Sequence, residues 1–176
     1  MMDATRSIIQ QIGLDNAAFN AEFFYDQTSD NVWFLEVNPR ISQSHAEIFE
    51  RVQGISHHSV MVDLALGRKP KPMEKKGKFN IAGHFMFRTF ESGLITRIPS
   101  DAAIQKLAQR QPGTVVKFQV QPGQHLKDLQ GQDMYSYEIA NVFIGGRDQM
   151  EMLDKYDESL AVLQFDIEKD EDIEIV

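Results

Sequence analysis

The 176 residues carry 26 Asp and Glu against 18 Lys and Arg, a formal net charge of −8, with 42% hydrophobic and 25% charged residues. That is enough apolar material for one domain or two small ones, and the acidic balance speaks against nucleic acid as a partner, because affinity for backbone phosphates depends on clustered Lys and Arg. Cysteine is absent, which excludes disulfides, thiolate metal sites and a cysteine nucleophile; with no apolar run near the roughly 18 residues of a membrane span and no signal-peptide pattern, no membrane partner and a cytoplasmic location are expected.

The first predicted element is a helix over Asp3–Ile12, capped by Asp3, with Ala4, Ile8, Ile9 and Ile12 as its apolar stripe and Gly13 ending it. Two extended runs follow, Asn20–Phe24 and Val32–Asn38, and the intervening 26–31, DQTSDN, is turn chemistry that joins them into a hairpin. Side chains alternate along a strand, so Glu22 shares a face with Asn20 and Phe24. By the same rule Glu36 shares one with Phe34 and Asn38, and Trp33, Leu35 and Val37 take the other. Antiparallel pairing brings Glu22 and Glu36 near each other. Two adjacent carboxylates repel unless a cation lies between them, and oxygen ligands of this kind suit Mg²⁺ carrying nucleotide phosphates. Pro39 has no N–H to donate and ends the strand, after which Arg40 presents a planar fork suited to a phosphate or carboxylate.

Glu22, followed by Glu36-Val37-Asn38-Pro39-Arg40, resembles the metal-binding end of the ATP-grasp ligases, a family that includes biotin carboxylase, the carbamoyl phosphate synthetase large subunit and carboxylate-amine ligases. The resemblance implies that Glu22, Glu36 and Asn38 hold Mg²⁺, or Mn²⁺ in its place, against the phosphates of ATP. It implies that Arg40 contacts the transferring phosphoryl group or the acyl phosphate as the catalytic residue. His45 matches a histidine of biotin carboxylases and sits where it orients a bound group or caps a helix. The likeness is good over about the first seventy residues and weaker afterwards. Two departures stand beside it. No glycine-rich lid with phosphate-binding lysines and no adenine-holding hinge is visible, so the chain reads as the C-terminal portion of a larger ligase whose N-terminal part is missing. Where biotin carboxylases carry an acidic residue in an I-Q-V-E-H run, Ile41-Ser42-Gln43-Ser44-His45 has Ser44, and a serine cannot act as the base for bicarbonate. Ser42 to Ser44 is nearer the synthetase and amino-acid-ligase subgroups, and the identity of the carboxylate, of the amine and of any biotin stays open.

A helix is predicted from Ser44 or His45 through Val52, stopped by Gly54, and a second begins on a Ser56 cap with Val60, Met61, Leu64 and Ala65 as its face, ending at Gly67. The proline- and lysine-rich Arg68–Lys78 reads as a linker dividing a domain over 1–74 from one over 75–176. Strands are expected over Phe79–Phe90 and Gly93–Pro99, joined by the turn Glu91-Ser92-Gly93, and later over Thr114–Val120, Tyr135–Ile144 and Leu163–Ile167. Between them lie a helix from Ser100 or Asp101 through Arg110, with Ala103, Ile104 and Leu107 inward, and one capped by Asp148 that runs through Met152, Leu153, Tyr156 and Leu160. The acidic tail from Asp166 to Glu174 is expected to fray. The fold class is α+β: the C-terminal part of an ATP-grasp fold, helices and an antiparallel hairpin, then a mixed or antiparallel sheet with helices on one face. GLITRIP at 93–99 resembles a G-x-I-T-R strand of the family's C-terminal domain.

Remaining polar residues read as structural. His57 and His58 are adjacent on a helix and diverge by about 100°, so they do not readily share a metal. His84 is a sheet-face histidine and His125 an exposed one; the aromatics of Phe79–Phe90 are core. Arg88, Arg97 and Lys117 read as structural or solvated, although Lys117 lies near the place of a catalytic arginine in biotin carboxylases. The expected function is an ATP- and Mg²⁺-dependent ligase that converts a carboxylate or bicarbonate to an acyl phosphate or carboxyphosphate and couples it to an amine, both small-molecule partners. The isolated chain is expected to be inactive, and a homo-oligomer is allowed. The alternative is a non-catalytic assembly or regulatory module that keeps the ATP-grasp shape, its Phe-rich strand and Met-rich last helix covering a partner.

Overall fold

The computed structural model describes residues 1–71, 74–133 and 135–170, which fall into two compact units, Met1–Gly77 and Lys78–Val176.

In the first unit, α1 (Met2–Ile12) begins one residue before the predicted cap: Met1 occupies the cap position with no side-chain bond, and Gly13 closes the helix at φ 69°. Asp3 lies inside the first turn and pairs with Arg6 at 3.3 Å, where a carboxylate complements the helix dipole without capping. Ile8 and Ile9 are half-buried, but Ala4 and Ile12 are exposed, so the apolar stripe is narrower than predicted. Strands β1 (Asn20–Asp26) and β2 (Asn31–Asn38) pair antiparallel. Their turn is held by Asp26, whose carboxylate accepts from Thr28 N at 2.9 Å and Ser29 Oγ at 2.6 Å; these bonds, Ser29 first, hold its carboxyl below the usual range. Helix α2 (Gln43–Gln53) ends at Gly54, φ 74°. Helix α3 (His57–Ala65) starts on Ser56, whose Oγ accepts from His58 N at 3.2 Å, a cap of about 1 kcal/mol.

The stretch after α3 is not wholly a free linker. Gly77 N donates to Val52 O at 3.1 Å, and a Cβ on Gly77 would stand 2.1 Å from Arg51 O, so only glycine allows this backbone to close on the end of α2. Pro72 and Met73 lie outside the described residues.

The second unit holds two sheets. Strands β3 (Ile81–Thr89), β6 (Tyr137–Gly146) and β5 (Val115–Phe118) form one in the order β3-β6-β5, and β4 (Gly93–Arg97) pairs with β7 (Asp166–Lys169) in the other; every pair is antiparallel. The predicted turn at Glu91-Ser92-Gly93 therefore joins strands of different sheets and makes no hairpin. Apolar residues of both sheets meet in one core of Phe87, Ile95, Leu126, Val142, Ile144 and Leu163. Helix α4 (Asp101–Arg110) starts on Ser100 and buries Leu107, as its periodicity predicts. Helix α5 (Gln149–Val162) starts on Asp148 and packs Tyr156 against Phe85 at 4.3 Å and edge-on to Phe87 at 5.8 Å. Its inward line runs through Met152, Tyr156 and Ser159, whereas Leu153 and Leu160 are 43% and 41% exposed.

Three predicted structural residues behave as such. His84 hydrogen-bonds Asn141 and stacks on Phe143 at 4.4 Å; Arg88 reaches Ser136 Oγ at 2.8 Å, Glu138 at 3.3 Å and also Asp133; Lys117 lies over the Phe143 ring at 4.9 Å. Two expectations are overturned. His125 is not simply exposed: its Nδ1 accepts from Lys127 N at 3.1 Å and its Nε2 meets Asp170 at 2.7 Å. Nor does the acidic tail fray from Asp166, because Arg97 binds the Asp166 carboxylate through two nitrogens at 2.6 and 2.9 Å and Asp170 meets Lys127 at 2.5 Å. Residues 171–176 lie outside the described residues.

Lys127, with His125, holds the Asp170 carboxyl at about 2 against an ordinary 3.8. A carboxyl with a depressed folded pKa stabilises above its unfolded value and loses that contribution as pH falls through the folded one. The protection factors of the β7 amides, taken against the intrinsic exchange rate at each pH, should therefore fall as pH drops from about 4 toward about 2. Asp170→Asn should exchange faster than wild type at neutral pH and match it at the acid end; an unchanged β7 in the variant would show that the pair does not secure the strand.

Candidate functional site

The hairpin places Glu22 directly opposite Glu36 and Asn20 opposite Asn38. Between them and the turn the register shifts by one residue, since Glu22 faces Glu36 but Phe23 faces Phe34. One residue of β2, Leu35, is left over as a bulge. Directly opposed residues share a face, so Phe34 joins Phe23, which it touches edge-on at 5.6 Å, on the side away from the glutamates. Trp33 faces Phe24 instead and falls on the glutamate side. The predicted common face of Phe34, Glu36 and Asn38 is thus corrected for Phe34, while Glu36 and Asn38 keep theirs: Asn38 Nδ2 donates to Glu36 Oε1 at 2.6 Å.

Asn38 Nδ2 also donates to Asn20 Oδ1 at 3.1 Å. With the amide N–H groups committed to Asn20 and Glu36, the carbonyl oxygen of Asn38 remains as an acceptor. Glu22 and Glu36 are both exposed, so their repulsion is softened by water. Among the described residues no group of three or more His, Asp or Glu is arranged to hold a metal. The donor set is two carboxylates and one amide oxygen, hard ligands that fit Mg²⁺ or Mn²⁺ when phosphate oxygens complete the shell. Asn20 is the member that sequence reading did not single out; its position opposite Asn38 is the signal that was there to use.

Arg40 follows at a tight bend, where its own N–H bonds Asn38 O at 2.8 Å. Its guanidinium is exposed, makes one long bond to Ile41 O at 3.4 Å, and has no ion pair among the described residues. Ser42 and Ser44 touch through their hydroxyls at 3.1 Å. His45 lies in the first turn of α2 and lines a pocket with Asn20, Ile41 and His57, a set that includes neither Glu22 nor Glu36. His57 packs on Phe49 at 3.9 Å; its role in this pocket was not legible in the sequence.

Residues 1–72 match the family described as the carbamoyl-phosphate synthase L chain, ATP binding domain. The large chain of carbamoyl phosphate synthase from Xylella fastidiosa (strain 9a5c) is 28% identical over 102 residues, which is 56% of this chain and 9% of that one. The L-amino acid ligase from Bacillus licheniformis superposes with a TM-score of 0.73 at 17% identity, over 96% of this chain and 42% of the ligase. Over residues 1–72 the chain is similar to that ATP-binding domain, and with the ligase it shares the fold. A further ATP-grasp neighbour is the biotin carboxylase domain dimer of the 2-oxoglutarate carboxylase from Hydrogenobacter thermophilus, solved with MgADP, ADP and bicarbonate. It gives a TM-score of 0.64 at 19% identity, over 90% of this chain and 34% of that one. At these identities the shared property is the fold, and the chain spans less than half the length of each of these ATP-grasp relatives.

Glu36 is exposed and has a like charge opposite, which offsets what its charge adds to the bond from Asn38, and a glutamine keeps that acceptor. Glu36→Gln should leave stability within about 0.5 kcal/mol of wild type or raise it slightly. Denaturant melts at neutral pH check this, and a loss above about 1 kcal/mol would make Glu36 a strut of the fold.

Proposed function

We propose that this chain supplies the metal and phosphoryl end of an ATP-dependent ligase that activates a carboxylate and joins it to an amine. The observation that carries the reading is the pair Glu22 and Glu36, opposed across β1 and β2 with Asn38 bound to Glu36 and followed at once by the exposed Arg40. Like charges set opposite one another cost about 0.2–1 kcal/mol in a strand pair, and the fold gains nothing from them. Their use is to receive a cation.

Glu22, Glu36 and the Asn38 amide oxygen would hold Mg²⁺, with Mn²⁺ as a substitute; the ion, when bound, neutralises charge on the ATP phosphates. Arg40 offers its guanidinium fork to the phosphoryl group in transit and to the acyl phosphate it becomes. In the reaction a carboxylate oxygen attacks the γ-phosphorus of ATP, the bond to the leaving ADP oxygen breaks, and an acyl phosphate results. An amine then adds to the acyl carbon, gives up a proton, and phosphate departs. Ser44 in place of an acidic residue removes a base for bicarbonate and favours the amino-acid-ligase-like form over the biotin-carboxylase-like one.

Support for a larger enzyme comes from the hairpin, where Phe24, Trp33 and Leu35 are 64%, 51% and 50% exposed; a two-stranded sheet alone is marginal in water. The glycine-rich lid and the adenine-holding hinge are taken to lie outside these residues, and the chain by itself to be inactive. For the reading as an assembly module, the Phe-rich strand is poor support, since Phe85 and Phe87 pack inward on Tyr156. No helix among the described residues is long and apolar enough to cross a membrane; a cytoplasmic location and small-molecule partners belong to the proposal.

Calorimetry tests this directly. Mg²⁺ alone should bind the chain only weakly, with a dissociation constant of about millimolar or above, because two carboxylates leave most of its shell to water. Adding ADP should tighten binding, and Glu36→Gln should remove that gain. Tight Mg²⁺ binding without nucleotide, or an ADP effect indifferent to the substitution, would refute the assignment. Assayed for ADP release with a carboxylate and an amine, the chain alone should show no turnover.

A further inference from the structure

Beside the hairpin, the first unit contains a pocket of about 390 Å³, within the usual range for small-molecule sites of roughly 300–1,000 Å³. Its walls are largely apolar, with Phe19, Ile41, Phe49, Val60 and Leu64 among them, and no Lys, Arg, Asp or Glu lines it. Three polar features decide what it suits. Asn20 belongs to the wall and also accepts from Asn38 at 3.1 Å, so the pocket and the hairpin pair share one residue. Ile41 and Ser42 line it and follow Arg40 directly in the chain, so its wall begins where the phosphoryl-binding fork ends. Third, His57 Nδ1 is buried and has no hydrogen-bond partner among the described residues, although an unmet buried nitrogen costs about 1–3 kcal/mol.

The charge state of the His57 imidazole matters for the ligand. Burial, then the neighbouring His45 and His58, lowers the His57 pKa from its ordinary 6.5, so at neutral pH His57 is an uncharged ring that exchanges one hydrogen bond. A pocket with apolar walls and a neutral imidazole offers little to a bare, strongly hydrated anion such as bicarbonate. It suits an apolar body that brings a single polar group with it.

We propose that this pocket receives the side chain of an organic carboxylate substrate, branched aliphatic or aromatic, whose carboxylate is turned toward Arg40 and whose remaining polar group meets His57 Nδ1. The proposal rests on the ligase reading above and deepens it, because it selects an organic carboxylate over bicarbonate as the group activated at the hairpin.

Nuclear magnetic resonance of the 176-residue chain tests it with L-leucine as the probe, glycine and bicarbonate as controls, and MgADP as a separate titration. L-leucine should give saturable shifts at His57, His45, Val60 and Leu64, with binding about tenfold tighter than glycine from burial of the isobutyl group, and bicarbonate should give none there. Val60→Phe, which fills the pocket, should weaken leucine at least tenfold yet leave the MgADP response of Glu36 intact. Leu64→Ala, which removes wall contact without adding bulk, should weaken it in the same direction. No leucine response alongside a normal MgADP response would overturn this inference and leave the ligase reading standing, the pocket then being packing space for another segment. A bicarbonate response equal to that of leucine would also overturn it. A leucine response with no MgADP effect at Glu22, Glu36 or Asn38 would defeat the ligase reading, and the substrate assignment with it.

Discussion

Everything proposed for this protein depends on two carboxylates being held opposite each other by backbone pairing rather than by attraction. The ladder of β1 and β2 fixes Glu22 against Glu36, and a shift of one residue would send one of them to the other face. The bulge at Leu35 does this work. It absorbs one residue between the glutamates and the turn, so the aromatic pair Phe23 and Phe34 can meet on one face while the charged pair stays in step on the other. Because both glutamates are exposed, water screens the repulsion and the metal-free hairpin tolerates it. The same exposure makes the site a weak one for a bare cation, which suits a site completed by the phosphates of its substrate.

The second unit is assembled differently. Its strands find partners far away in sequence, β3 with β6 and β4 with β7, and the segment from Asp166 to Asp170 is pinned by side chains drawn from two distant segments, Arg97 on Asp166 and His125 with Lys127 on Asp170. A buried amide in it is matched as well. Gln111, 2% exposed, donates to Lys155 O at 3.2 Å and Glu158 at 2.7 Å and accepts from Thr114 at 3.1 Å. Satisfied buried amides of this sort fix how α4 and α5 meet without a stability penalty.

What was legible in the sequence follows the range of the interactions concerned. The hairpin, the Ser56, Ser100 and Asp148 caps and the Gly13 and Gly54 stops are local, and each has a chemical signature within a few residues. The bulge has none, since alternation read along β2 is blind to a residue that the partner strand skips, and that is why Phe34 was placed on the wrong face. Strand pairing in the second unit is non-local: a turn such as Glu91-Ser92-Gly93 has the composition of a hairpin whether or not its flanking strands pair. The tail misled for the same reason, because its acidity suggested fraying until cations from β4 and from the 3-10 turn at Leu126–Asp128 came within reach. The juxtaposition of Glu22, Glu36 and Asn38 was legible from strand alternation, whereas the bond from Asn38 to Asn20 and the pocket lined by His45 and His57 required the fold.

The central claim is that β1 and β2 present a divalent-cation site that is completed by nucleotide phosphates. Paramagnetic relaxation by Mn²⁺, titrated into the chain with ADP present, reports this most directly, because broadening falls steeply with distance from the ion. The account predicts that the resonances of Glu22, Glu36 and Asn38 broaden first, that Arg40 follows, and that the effect is largely lost without ADP. Broadening that instead centres on the exposed carboxylates of the second unit, or that is the same with and without ADP, would contradict it.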